Sequence, residues 1–109
     1  MKQINDYRQS QGLAEVKTDL YTCNFAAVRA SEVTANFNHD GFTNRVNSKN
    51  LPYPSYHKIV ENIAMNSNYQ GVVPVWIASS GHAANLRANT TYGCIAFSNN
   101  CYTYESWTP

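Results

Sequence analysis

The last quarter of the chain follows a different residue pattern from the rest, and that change narrows the choice of fold more than anything else here. Tyr92 to Phe97 and Tyr102 to Trp107 are rich in β-branched and aromatic residues and flank Ser98-Asn99-Asn100. Two such runs around a short polar turn predict a β-hairpin. The preceding residues read as helix and loop. Helices first and a hairpin last predict an α+β fold with helices packed over a small antiparallel sheet. A length of 109 residues suits one compact domain spanning 1–109.

Upstream, Ile4 and Tyr7 lie one helical turn apart and Gly12 offers a stop, so a helix is expected over about Gln3 to Gln11. Asp19 can cap a longer helix reaching about Ala35, with Leu20, Cys23, Ala27 and Ala30 along its inner stripe and Arg29 and Glu32 facing water. Residues 36 to 55 are dense in Asn, Ser and Gly and read as an ordered loop. Pro52 and Pro54 forbid a continuous helix there, and a short helical turn is expected near Ser55 to Val60. Val72 to Ser79 reads as a helix with Pro74 in its first turn, broken by Gly81 just before His82.

Composition removes some functions. The net charge is +1, and the eight Lys and Arg residues are scattered, so no phosphate-tracking stripe forms and nucleic acid is not an expected partner. No apolar run approaches the roughly 20 residues of a membrane span. Met1-Lys2 is followed by polar residues, so the opening carries no signal-peptide core. Three cysteines, Cys23, Cys94 and Cys101, are too few for a disulfide scaffold and lack structural-zinc spacing. Buried thiols are the favoured reading, and a Cys94–Cys101 bridge stays open.

Three patches concentrate chemistry: Phe37-Asn38-His39, Glu61-Asn62-Ile63-Ala64, and Trp76 to Asn85. Each alone has an ordinary structural explanation: His39 tying down the polar loop, Glu61 accepting backbone N–H groups, His82 holding the Gly81 turn. His57 falls outside the patches and is expected at the surface. In order, however, the patches carry a pattern. Trp76-x-x-Ser79-x-Gly81-His82-x-x-Asn85 resembles the W-x-x-S-x-G-H-x-x-N motif of bacterial domains of the CAP superfamily. Glu61-Asn62-Ile63-Ala64 resembles that family's E-N-I-A element, with Val60 where a Gly usually stands. Phe37-Asn38-His39 is similar to its F-S-H element, Arg29-Ala30-Ser31-Glu32 to its R-A-x-E helix end, and Asn5 to Leu13 to its opening N-x-x-R-x-x-x-G-L.

The resemblance implies an α-β-α sandwich with a cleft carrying His39, Glu61 and His82, supported by Ser79, Gly81, Asn85 and Trp76. A second Glu of eukaryotic members is missing, and Ser79 stands near its position. His39, His82 and Glu61 form a competent donor set for a divalent metal, zinc first; the metal-free alternative is a Glu61–imidazole hydrogen bond. Metal or ligand dependence through these imidazoles is expected to weaken near pH 6. By the same resemblance the chain is an extracellular, non-catalytic module for a small molecule, lipid or protein ligand. Tyr53, Tyr56, Tyr69, Tyr102 and Tyr104 offer contact area. The competing expectation is a metal-dependent hydrolase using the same cleft. A glycosidase is not supported, because only Asp40 offers a second nearby carboxylate.

Overall fold

The computed structural model describes all 109 residues. In chain order it contains helix α1 (Lys2–Ser10), α2 (Leu20–Ala35), α3 (Asp40–Asn47), strand β1 (Lys58–Met65), a 3₁₀ turn (Tyr69–Gly71), α4 (Val72–Ala78), α5 (Ser80–Leu86), β2 (Tyr92–Ser98) and β3 (Cys101–Thr108). The three strands form one antiparallel sheet in the order β1-β3-β2. Helix α2 covers one face, and α1, α4 and α5 pack on the other. This is the expected α+β sandwich.

Local chemistry sets most boundaries. Asp19 caps α2, its carboxylate accepting the Thr22 N–H at 2.7 Å. The hairpin turns at Asn99-Asn100, and Asn99 takes φ 53°, a left-handed value that Asn tolerates better than most residues. Arg8, buried in α1, donates to the carbonyls of Ala14, Leu86 and Ala88 and so ties the first helix to the end of α5. Gly93 lets the Val16–Lys17 segment run beside β2, because a Cβ there would lie 2.9 Å from Val16 Cγ2.

Side chains alternate across the sheet. On β3, Cys101, Thr103, Glu105 and Trp107 point toward α2, whereas Tyr104 enters the core beneath α1, α4 and α5. That larger core contains Ile4, Val60, Val72, Trp76 and Leu86. Against α2 lie a smaller aromatic cluster of Phe25, Tyr53 and Trp107 and a patch of Val33, Ile63 and Cys101.

Five expectations change. The polar segment after α2 is not all loop, since Asp40–Asn47 is helical. The Asn38 side chain accepts the Asp40 N–H where the helix begins, and Phe42 packs, partly buried, on the Phe25 cluster, so tertiary packing overrides turn preference. The stretch expected to make a helical turn near Ser55–Val60 instead enters β1 at Lys58, because pairing with β3 supplies a ladder that no local helix could match. The inner stripe of α2 is Thr22, Phe25, Ala26, Arg29, Ala30 and Val33; Leu20 and Ala27 are exposed. The break before His82 falls at Ser79, which is extended, and Gly81 lies inside α5. Cys23 and Cys94 form a disulfide between α2 and β2, leaving Cys101 as the buried thiol. A Cys94–Cys101 bridge is ruled out by register, which sets Cys94 opposite Glu105 and Cys101 opposite Ser98.

Candidate functional site

Strand β1 is an edge of the sheet, and alternation sends its successive residues Glu61 and Asn62 to opposite faces. Glu61 points toward α2. Its carboxylate receives Arg29 Nε at 2.7 Å on Oε2 and Arg29 Nη2 at 3.0 Å on Oε1. His39 Nδ1 approaches the same Oε1 at 2.8 Å. Arg29 and Glu61 are almost wholly buried, whereas the His39 side chain is 49% exposed. Burying a carboxylate is tolerable only with such pairing, and the two-point guanidinium contact supplies it.

Arg29 was expected to face water, yet it lies on the inner stripe of α2 between Ala26 and Ala30. Its remaining N–H groups reach Glu32 Oε1 at 2.7 Å and the Asn38 carbonyl at 3.0 Å. Burial works against the Arg29 charge, but the hydrogen bonds to Glu61 and then Glu32 raise its affinity for the proton. Glu32 is held down to about 2, first by its hydrogen bond from Arg45 and with help from Arg29. Residues from α2, α3 with the His39 that precedes it, and β1 therefore form one continuous charged network.

Glu105 belongs to the same neighbourhood and was missed in the sequence. It pairs with Glu61 in the β1–β3 register, is completely buried, and neither carboxylate oxygen has a hydrogen-bond partner. Burial first, and then the nearby Glu61, push its pKa well above the ordinary carboxylate value, while Arg29 pulls the other way. The available signal was its alternation with Thr103 and Trp107, which places residue 105 on an inward face.

Asn62 points the other way and meets α5. Its Nδ2 donates to the His82 carbonyl at 3.0 Å, and Asn85 Nδ2 donates to Asn62 Oδ1 at 2.9 Å and to the Glu61 carbonyl at 3.1 Å. Trp76, wholly buried, donates Nε1 to the Ile63 carbonyl at 3.0 Å. These bonds occupy carbonyls that the edge strand turns away from the sheet, and they dock α4 and α5 onto it. The half-buried His82 ring lies 6.4 Å from the Trp76 ring, with Nδ1 3.0 Å from Ser79 Oγ. Gly81 faces open space, with nothing within 4 Å of where a Cβ would stand.

The structure thus joins His39 to Glu61 directly. His82 is tied to the neighbouring β1 residues through Asn62 and Asn85, with no hydrogen bond to His39 or Glu61. Ser79, Asn85 and Trp76 support this edge through the bonds just described. His57 is exposed, as expected. Among the tyrosines offered as contact area, Tyr69 is exposed, but Tyr53 and Tyr104 belong to the core. No group of three His, Cys, Asp or Glu side chains is arranged to hold a metal ion. Glu61 already receives three hydrogen bonds on its two oxygens. The donor set a zinc ion would need is therefore not assembled.

The geometry agrees with comparisons to known proteins. The structure is similar to an extracellular protein containing a SCP domain from Bacillus anthracis str. Ames, with TM-score 0.83 and 23% identity over 100% of this chain and 40% of that one. It is also similar to a cysteine-rich secretory protein from Staphylococcus aureus subsp. aureus Mu50, with TM-score 0.80 and 15% identity over 99% of this chain and 36% of that one. An outer surface protein from Borrelia burgdorferi aligns at TM-score 0.77 and 18% identity, covering 98% of this chain and 87% of that chain. The chain therefore spans well under half the length of the first two. No curated protein matches the sequence. The family model for the cysteine-rich secretory proteins, CAP, matches residues 1–108. With the Gly81-His82 motif beside the edge of an α-β-α sandwich, this chain belongs to the CAP family.

Proposed function

We propose that this domain is a non-catalytic binding module acting outside the cell, with the edge of β1 between His39 and His82 as its ligand cleft. One observation carries the reading. Each imidazole is held at Nδ1 by the protein, His39 by Glu61 and His82 by Ser79. Each Nε2 has no partner in the chain, and both rings are partly exposed. With Nδ1–H directed at the Glu61 carboxylate, neutral His39 offers Nε2 as a fixed hydrogen-bond acceptor. Two oriented, unspent nitrogens beside a rigid strand suit recognition of a ligand's polar groups.

Catalysis is less well served. The Glu61 side chain is 1% exposed and engaged on both oxygens, so it presents no open oxygen to a water or substrate. A metal-dependent hydrolase would also need a donor set that the side chains do not form. The extracellular assignment rests on the Cys23–Cys94 disulfide, at home in oxidising compartments, and on the extracellular and outer-surface descriptions of similar structures.

The test combines histidine nitrogen NMR with an assay. Screening extracellular metabolites and peptides should yield a ligand that moves both Nε2 resonances, and His82→Ala should remove binding while leaving the melting temperature nearly unchanged. Peptidase activity that vanishes with chelator and in His82→Ala would replace this reading with the hydrolase.

A further inference from the structure

A second concavity lies between the end of α2, α3 and the turn that follows α3, next to His39 in the chain but lined by neither imidazole. It encloses about 680 Å³ and has no hydrophobic residue in its lining, a volume within the ordinary range for ligand sites. Its base is the ion-paired set already described: Arg29 held by Glu61 and Glu32, and Arg45 held by both oxygens of Glu32. Gly41 brings α3 against this base, since a Cβ at that position would collide with Arg29 and Glu32. The rim carries the exposed side chains of Asn36, Asp40, Asn44 and Asn50. None of these four side chains makes a hydrogen bond within the chain. The backbone groups around them are satisfied, as in the Asn50 N–H bond to the Arg45 carbonyl at 2.8 Å.

We infer that this pocket binds an uncharged saccharide. The two cations in the lining are balanced by Glu32 and Asp40 and are already paired, so a phosphate or sulfate would find no free positive charge. The lack of apolar lining excludes a lipid tail or an aromatic base, and it offers no pocket for the aromatic anchors that dominate protein interfaces. What remains is an array of three free amides and one free carboxylate. Amides donate and accept while a carboxylate accepts only, which matches vicinal hydroxyl groups of a sugar. The inference keeps the binding-module reading above but uses a different site, so the two can fail separately.

The experiment uses all 109 residues of the domain. An array of neutral oligosaccharides built from glucose, mannose, galactose and N-acetylglucosamine is followed by calorimetry, with a sulfated heparin fragment as the charged comparison. The expected result is millimolar or tighter binding of a neutral sugar that changes little as sodium chloride is raised. The Asn44→Ala/Asn50→Ala variant, altered only at exposed positions, should keep its melting temperature and lose about tenfold or more in affinity. His82→Ala should bind the sugar as the parent does. The inference is overturned if no neutral sugar binds, if only the heparin fragment binds and does so salt-sensitively, or if the double variant binds normally. Sugar binding lost in His82→Ala and kept in the double variant would assign the saccharide to the imidazole cleft instead.

Discussion

Two consecutive residues of one strand, Glu61 and Asn62, solve the same problem by opposite means. Both are buried at the edge of the sheet and both help dock a helix onto it. On the α2 side the device is charge: a carboxylate, a guanidinium and a half-exposed imidazole, with Glu105 buried alongside. On the α5 side it is a neutral chain of amides from Asn62 and Asn85 to backbone carbonyls. The charged side is coupled, so removing one member leaves another ionised and unpaired. The amide side is modular, and a lost member forfeits its own bonds. The comparison locates where the molecule is brittle and where it responds to pH.

The largest effect should come from breaking the charged side. Arg29→Met keeps much of the buried stem but strips Glu61 of its counter-ion and leaves that carboxylate buried and unpaired beside Glu105. A loss of about 3 to 5 kcal/mol is expected, measured by urea unfolding. Asn85→Ala on the amide side should cost clearly less, about 1 to 3 kcal/mol. Equal losses in the two variants would abolish the contrast.

Next in size is the covalent tie between α2 and β2, which closes a separation of 71 residues. Changing Cys23 and Cys94 together to Ser should cost about 2 to 5 kcal/mol. A reductant should lower the parent's stability by a similar amount and leave the variant unaffected. A parent indifferent to reductant would show that the two thiols are not joined.

Glu105 makes the charged side sensitive to pH in a particular direction. Its folded pKa lies above the ordinary 4.5, first through burial and then through Glu61. The folded chain thus keeps a proton that the unfolded chain releases, and stability should fall as pH rises above about 4.5 until the folded pKa is passed. The slope is at most about 1.4 kcal/mol per pH unit for one group. Glu105→Gln removes that titration, so the variant should match the parent in acid and become progressively more stable than it toward pH 8. Glu32 acts with the opposite sign, since its support is present above 4.5 and fades as pH falls through about 2. Unfolding curves of parent and Glu105→Gln that stay parallel from pH 4 to 8 would deny Glu105 this role.

The same contrast explains what the sequence disclosed. The amide side was readable, because Trp76, Ser79, Gly81, His82 and Asn85 stand close together and their order matches a family pattern. So were the caps and the hairpin, which depend on neighbours: Asp19 with Thr22, and Asn99-Asn100 between two β-rich runs. On the charged side His39 and Glu61 were named and their hydrogen bond was one of the expectations, but the buried places of Arg29 and Glu105 were not readable. Arg29 lies 32 residues from Glu61, and only the pairing of β1 with β3 brings Glu105 to the same spot. A residue's face on α2 also shifts with small changes in helix rotation, so of the apolar and small residues at 20, 23, 27 and 30 only Cys23 and Ala30 face inward. Lys58–Met65 was misjudged at its start for a related reason, since a strand gains its stability from partners distant in sequence. The disulfide was hidden likewise, because Cys23 meets Cys94 only through the packing of α2 on β2.

The smallest expected effect separates fold from function at the family's most specific motif. Gly81 sits within α5, where glycine costs conformational entropy relative to alanine. An added Cβ would meet nothing within 4 Å, so packing does not explain the glycine. Gly81→Ala should therefore stabilise the domain by about 0.5 to 1 kcal/mol, read as a raised urea midpoint. If ligand binding at the imidazole cleft falls in that more stable variant, glycine is serving close approach of a ligand to the backbone beside His82. If stability falls instead, α5 needs the flexibility of Gly81, and the neutral side of β1 is less modular than its hydrogen bonds imply.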